Sequence, residues 1–422
     1  MTPRSLTALV LVSILTAGSL AACTGDDDSS DPGTLTILSS FTTGNATGDH
    51  FAKLKQKFTD ETGIKIDVEE ANTNDIGNVY EASKLANKER DIVILNFTPT
   101  TSDWLPQSQV VDVKKYLDQW GLTDQILPEA MKFWTQPEGV AGFPYIGFNW
   151  PVWYNTDLLK KAGVNDVPKT VDDLISASQK LKAQGVGGIV LGGAEWPVQN
   201  WITWMIQQYV PADEAQKIFE KGGYCASAGA VKGLNLFGRL RDSGVFIDNV
   251  QGYTADQMTT TYRTQKAAMV PNGSWAYPDT PAEVANVTRL AGFPVVSDGI
   301  YKKPTAFQGH SNGFFLSPNG EKKIASVEKF IRFMYRQDVV QSWVSDAAQI
   351  MSVKPDLLGA ARSSLPLVQQ GASLAKDVDF MLLPDSYLPS GMDYQPAGTK
   401  FIGSRGMKGE EFCKDLDKLY QK

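Results

Sequence analysis

The feature that most constrains the fold of this 422-residue chain is an alternation of strand-like and helix-like segments. Residues 35–38 form an apolar strand pattern, and a helix is predicted from about residue 49 to Gly63, with Phe51 and Phe58 on one face. The pattern continues with a strand at 64–68, a helix at 75–87 and a strand at 92–95. Such alternation is typical of a mostly parallel α/β sheet covered by helices.

A second α/β unit is predicted from about residue 145. Thr170 and Asp173 have the spacing of a capping box at a helix start, and strands are expected at 188–191, 267–270, 290–296 and 314–317. Further helices are expected at 255–263, 322–336, 338–348 and 409–421. A chain of this length forms two domains or one large two-lobed domain, so the prediction is a two-lobed α/β fold with mixed sheets.

The N-terminus indicates export. Arg4 precedes an apolar run at 6–20, and the sequence then reads Leu-Ala-Ala-Cys up to Cys23, which resembles the lipobox of bacterial lipoproteins. This resemblance implies a signal peptide at 1–22, a lipid on Cys23 and a polar tether at 23–33, which would hold the protein at the outer face of the cell membrane. The alternative is an ordinary signal peptide with an incidental cysteine.

Composition narrows the function. The net charge of −7 gives no basic surface for nucleic acid, and two histidines without a Cys/His cluster leave neither a metal ion nor a cofactor expected. If Cys23 carries a lipid, Cys225 and Cys413 remain as an even pair. In an oxidising compartment they can close a disulfide, and the alternative is two free thiols.

Four segments, at 142–163, 167–174, 272–275 and 309–334, resemble the extracellular solute-binding proteins of bacterial ABC importers, specifically the sugar-binding, maltose-binding-protein-like group. The resemblance implies two lobes that close on a solute, with crossings near 145–148, 271–277 and 309–313. It implies that 34–146 plus 276–312 form lobe 1, and that 147–275 plus 313–422 form lobe 2. It also implies a monomer that is not an enzyme, binds a carbohydrate, and docks on membrane permease subunits.

The candidate ligand contacts come from the resemblance and from polar loops at the predicted carboxyl ends of strands. A sugar needs flat aromatic rings for its C–H face and amides or carboxylates for its hydroxyls. The predicted set is Ser40, Asn96, Asp103, Tyr145, Asn149, Trp150, Glu195, Trp196, Trp275, Gly309 and His310. For each aromatic residue the alternative is core packing, and for His310 it is a structural hydrogen bond. Trp201, Trp204 and Met205, at helical spacing, are predicted to lie mainly in the core.

Two other functions remain open from the sequence. A secreted glycosidase or lyase would use Glu195 and Asp103 as paired carboxylates, although no catalytic motif supports it. The same fold would also suit a polyamine, an osmolyte or a phosphorylated polyol, which would require convergent carboxylates or cationic side chains in the cleft.

Overall fold

The structure, a computed structural model, describes residues 33–421. The predicted signal peptide, Cys23 and nearly all of the tether lie outside the described residues. Within residues 33–421, no helix combines the length and the apolar character needed to cross a membrane.

The strands are β1 Thr34–Ser39, β2 Lys65–Glu70, β3 Ile92–Asn96, β4 Thr135–Gln136, β5 Gly139–Val140, β6 Phe143–Trp150, β7 Val152–Asn155, β8 Gly187–Ile189, β9 Ala267–Pro271, β10 Thr288–Ala291, β11 Thr305–Leu316, β12 Ile350–Met351 and β13 Asp379–Met381. The helices are α1 Ala46–Thr62, α2 Ile76–Leu85, α3 Lys114–Gln119, α4 Pro128–Trp134, α5 Thr156–Lys161, α6 Val171–Ala183, α7 Trp196–Gln207, α8 Ala212–Lys221, α9 Ala228–Asp242, α10 Ala255–Arg263, α11 Ala282–Ala285, α12 Pro318–Glu321, α13 Ile324–Met334, α14 Gln337–Ser345, α15 Pro355–Leu358, α16 Pro366–Ser373, α17 Gln395–Gly403 and α18 Gly409–Lys418.

The larger sheet has the strand order β12-β6-β11-β3-β1-β2, with β13 added beside β11. β1 is parallel to both β2 and β3, whereas β11 is antiparallel to β3 and β6. A second sheet has the order β10-β7-β9-β8, and β4 and β5 form a small hairpin. The fold is therefore the predicted mixed α/β fold.

Buried apolar side chains form two separate cores. One core contains residues between 35 and 146 together with residues between 314 and 353, and the other contains residues between 150 and 307 together with residues between 367 and 416. Each fully buried Phe or Leu contributes roughly 1.5–3 kcal/mol to stability. We call the part of the chain around the first of these cores lobe 1, or the first lobe, and the part around the other core lobe 2, or the second lobe.

This distribution differs from the predicted lobe boundaries. Residues 276–307 pack with the second core rather than lobe 1, and 314–353 pack with the first core rather than lobe 2. The reason is that β11 runs through both lobes: its start pairs with β13, and its end pairs with β3.

Three crossings join the lobes, but not all at the predicted places. β6 and β11 cross side by side as antiparallel neighbours, close to the predicted 145–148 and 309–313. The segment 271–277 does not cross, because β9 before it and β10 after it both pair with β7 in the second sheet. The third crossing instead lies between Val353 of the first core and Leu367 of the second.

Local signals set most of the other elements. Thr170 accepts from the Asp173 N–H and Asp173 accepts from the Thr170 N–H, so α6 begins with the predicted capping box. α1 ends at Gly63, whose φ of 73° is the left-handed conformation that glycine adopts most easily. In the second lobe, Cys225 and Cys413 form a disulfide with an Sγ–Sγ distance of 1.99 Å, which excludes the two-free-thiol alternative.

Candidate ligand-binding site

Three predicted tryptophans meet at one place in the second lobe. The ring centroids of Trp150 and Trp196 are 5.1 Å apart, those of Trp150 and Trp275 are 5.4 Å apart, and those of Trp196 and Trp275 are 5.8 Å apart, all edge to face. Phe148 packs against Trp275 at 5.3 Å and Phe307 against Trp150 at 5.8 Å. We call these five side chains the aromatic cluster.

Backbone geometry places the rings of this cluster. Trp150 ends β6, Trp196 begins α7, and Trp275 lies in a short 3-10 turn at Ser274–Ala276. Gly273 makes that turn possible, because a Cβ atom there would lie 2.0 Å from the Trp275 ring. The Trp275 indole therefore folds back over the backbone of Gly273.

The tryptophans differ in exposure. Trp150 is 2% exposed, and its buried Nε1–H has no hydrogen-bond partner among residues 33–421, whereas Trp196 and Trp275 are half-buried. The three predicted tryptophans thus lie together, with the buried Trp150 packed against the two more exposed rings, and their role as ligand contacts stays a prediction. Trp201, Trp204 and Met205 are buried in the core, as predicted.

Three predicted ligand contacts have structural roles instead. Tyr145 is fully buried and donates its hydroxyl to the Met334 carbonyl at 2.7 Å. The buried Asn149 donates to the Gly371 carbonyl at 3.0 Å and accepts from the Tyr277 hydroxyl at 2.7 Å.

The last of the three is His310. Its Nδ1 lies 3.1 Å from the Ser352 hydroxyl, and burial lowers the pKa of the imidazole. Gly309 lies beside it, and a Cβ there would lie 2.5 Å from the Phe148 ring and 2.7 Å from Leu383. The absence of a side chain at Gly309 therefore allows β11 to approach the aromatic cluster closely.

Glu195 and Asp103, the carboxylates of the enzyme alternative, are each held by a neighbouring group. Glu195 Oε2 accepts from the Ala255 N–H at the start of α10 at 2.8 Å, and Asp103 accepts from Gln107 in its own loop at 3.1 Å. The two carboxylates belong to different lobes, and each already has a local partner. Their arrangement does not favour the glycosidase alternative.

The predicted polar residues of lobe 1 lie at strand ends. Ser40 follows β1 and is half-buried, and its N–H donates to the Ile94 carbonyl at 3.0 Å. Asn96 accepts from Asn312 at 2.9 Å, and the buried Asn312 Oδ1 has no donor in the part of the chain that the structure describes. Asn312 is not among the predicted residues, although it lies within the 309–334 segment of the resemblance.

A pocket of about 360 Å³, which we call the interlobe pocket, opens beside these loops. Five lining residues belong to lobe 1 and one, Tyr387, packs on the second core; the lining residues are Phe97, Lys132, Phe133, Thr135, Gln136 and Tyr387. Sequence reasoning missed this set except for the loop that carries Phe97. Its members are separated along the chain and share no motif.

Two direct contacts also join the lobes outside the crossings. The Ala46 N–H at the start of α1 donates to Asp279 of the second lobe at 3.1 Å. The Gly391 N–H donates to the Pro99 carbonyl at 3.4 Å. Near Gly391 in sequence, burial raises the pKa of Asp385 to about 7.

The family model for bacterial extracellular solute-binding proteins matches residues 53–361, which is well over half of the chain. The chain belongs to this family. The resemblance inferred from the sequence is thereby confirmed, and a solute-binding protein of this family works outside the cytoplasm. Its members and the structural neighbours are binding proteins rather than enzymes.

Solved structures agree with this assignment. A probable secreted solute-binding lipoprotein from Streptomyces coelicolor is 37% identical, with a TM-score of 0.78 over 94% of this chain and 100% of that chain. A chitin oligosaccharide binding protein is 19% identical, with a TM-score of 0.77 over 92% of this chain and 98% of that chain, and shows the same fold.

A shorter match joins this solute-binding protein to the sn-glycerol-3-phosphate-binding periplasmic protein UgpB of Rhizobium meliloti. The two are 28% identical over 105 residues, which cover 24% of this chain and 23% of that protein. The chain thus spans about a quarter of that relative's length.

Proposed function

We propose that this solute-binding protein captures a carbohydrate, specifically an oligosaccharide, and delivers it to the permease of an ABC importer. We further propose that it acts as a monomer held at the outer face of the cell membrane by a lipid on Cys23. The structural neighbour that binds chitin oligosaccharide supports the carbohydrate, and the lipoprotein from Streptomyces coelicolor supports the anchor.

The observation that carries the proposal is the aromatic cluster. Trp196 and Trp275 each keep part of an indole ring exposed beside the hinge strands β6 and β11, and Trp150 fixes their spacing from below. A partly exposed indole face binds the apolar C–H face of a sugar ring, because that contact removes apolar area from water on both partners. Closure of the lobes would then bring polar groups of lobe 1 to the hydroxyls.

The test is the affinity of Trp275→Ala for the best ligand from a thermal-shift screen of mono- and oligosaccharides. We expect at least a 10-fold loss of affinity by calorimetry, because one stacking ring and its buried area contribute about 1.4 kcal/mol or more. Tyr301→Ala, at a half-buried aromatic of the same lobe outside the cluster, is the control and should bind as the wild type does.

Two outcomes would contradict the proposal. An unchanged affinity in Trp275→Ala would remove the cluster from the site. Cleavage products after incubation of the protein with an oligosaccharide would instead support the enzyme alternative.

A further inference from the structure

We propose that the interlobe pocket is a second subsite, and that it binds an anionic group carried by a hydroxylated ligand, such as the carboxylate of an acidic sugar or a phosphate ester. This inference rests on the proposed function, because it names the kind of carbohydrate that the cleft selects. The interlobe pocket and the aromatic cluster share no residue.

The first support is the buried amide of Gln136. Its Nε2 donates to the Ser102 carbonyl at 2.7 Å, which fixes the orientation of the amide. Its Oε1 is buried and accepts from no residue that the structure describes, and Gln136 lines the pocket. A buried acceptor without a donor is costly, so the site favours a ligand that brings a hydroxyl group.

The second support is the charge of the pocket. Lys132, at the end of α4, is exposed and makes no ion pair with any residue in 33–421 for which the structure gives a contact, and no carboxylate lines the pocket. The lining thus offers one cation without a partner, which favours an anionic group on the ligand.

The third support is the apolar wall. Phe97 and Phe133 pack edge to face at 5.8 Å, and Phe133 contacts both hydrophobic cores. Tyr387 reaches the same space from the second lobe. Aromatic side chains with few polar groups between them are the usual lining of a site for a ring with one apolar face.

The position of the pocket fits one extended ligand. Leu383 approaches Gly309 beside Phe148 of the aromatic cluster, and Tyr387 follows four residues later. Four residues span at most about 14 Å, so the two subsites are within reach of one oligosaccharide.

The experiment measures affinity by calorimetry for matched neutral and anionic ligands. One pair is a neutral disaccharide and its uronate, and a second pair is glycerol and glycerol 3-phosphate. The variants are Lys132→Met and, as a control at an exposed lysine of α13, Lys329→Met. Melting temperatures check that both variants fold.

We expect the wild type and Lys329→Met to bind an anionic ligand at least 10-fold more tightly than its neutral partner. Lys132→Met should lose this preference and keep its affinity for the neutral ligand within 2-fold. The pair that shows the effect identifies a carboxylate or a phosphate as the anion.

Other results separate the two proposals. Neutral sugars that bind with no preference for the anion, or an equal effect of Lys132→Met on both ligands, would overturn the subsite and leave the carbohydrate function standing. Binding of glycerol 3-phosphate alone, lost in Lys132→Met, would keep the subsite and overturn the carbohydrate function. No binding of any ligand would overturn both.

Discussion

Asn149 and Trp150 are neighbours on β6, and their side chains make different contacts: Asn149 forms hydrogen bonds, whereas Trp150 packs against aromatic rings. The amide of Asn149 joins three segments, because it bonds to the Tyr277 hydroxyl and to the Gly371 carbonyl. The Trp150 ring lies under Trp196 and Trp275. Successive side chains of a strand point to opposite faces. Asn149 therefore bonds β6 to neighbouring segments, while Trp150 packs against the aromatic rings of the candidate site.

Replacing Asn149 by Ala should destabilise the protein. The substitution leaves the buried Tyr277 hydroxyl and Gly371 carbonyl without these partners, which costs about 2–4 kcal/mol of unfolding free energy for two bonds. Urea denaturation measures the loss. Asn165→Ala, at an exposed position of the same lobe, should unfold as the wild type does, and equal stability of both variants would disprove this role for Asn149.

The structure brings the predicted aromatic residues together but holds two of the predicted polar residues elsewhere. Trp150, Trp196 and Trp275, whose positions came from the resemblance, are in contact with one another, and their role in ligand binding stays a prediction. The partners of Asn149 and His310 come from segments more than forty residues away, at Gly371 and Ser352. A side chain captured by a distant backbone carbonyl or hydroxyl leaves no local pattern in the sequence.

At the scale of elements, the disulfide fastens the C-terminal helix to the second lobe. Cys413 lies in α18, and Cys225 lies in the 3-10 turn Tyr224–Ala226, 188 residues earlier in the chain. Asp417 of the same helix accepts from the N–H groups of Gly223 and Tyr224 at 2.8 and 2.7 Å. The disulfide and these hydrogen bonds therefore hold α18 against the same short segment, Gly223 to Cys225.

We expect Cys413→Ser to lower the unfolding free energy by about 3 kcal/mol, because the cross-link restricts a long loop of the unfolded chain. Thermal unfolding with and without a reductant measures the effect. The wild type should lose melting temperature in the reductant, whereas the variant, already uncross-linked, should not change. If the disulfide of the wild type is reduced and its melting temperature does not fall, the prediction is wrong.

Elements with local signals were predicted well, whereas β11, which depends on pairing with other strands, was predicted only in part. α6 begins at its capping box, and α10 covers the predicted 255–263. β11 was predicted as 314–317 but extends over Thr305–Leu316. Its first half is rich in polar residues and Gly309 interrupts it, so only pairing with β6 and β13 makes it a strand.

For the whole molecule, contacts between the lobes decide how the cleft closes. Asp279 of the second lobe accepts from the Ala46 N–H at the start of α1. A carboxylate at a helix start is favourable, because the unpaired N–H groups and the helix dipole are positive there. This contact favours the arrangement in which the lobes touch.

Asp279→Asn should therefore weaken ligand retention. Loss of a charge at a helix start costs about 0.3–1 kcal/mol, which predicts roughly a 2- to 5-fold faster release in stopped-flow fluorescence. Asp377→Asn, at an exposed aspartate of the same lobe, is the control. Equal release rates in all three proteins would show that the contact does not bias closure.

The course of β6 and β11 between the lobes constrains the motion itself. The two strands cross together, and their register shifts between Gly309 and Gly313, where the Trp134 indole also holds the His310 carbonyl at 2.6 Å. A strand bends where its register shifts, because the ladder of hydrogen bonds is disrupted there. We therefore expect the two lobes to rotate about one axis through the shifted register. On ligand binding, amide deuterium uptake should change at residues 309–313, while the amides of the strands on either side stay protected.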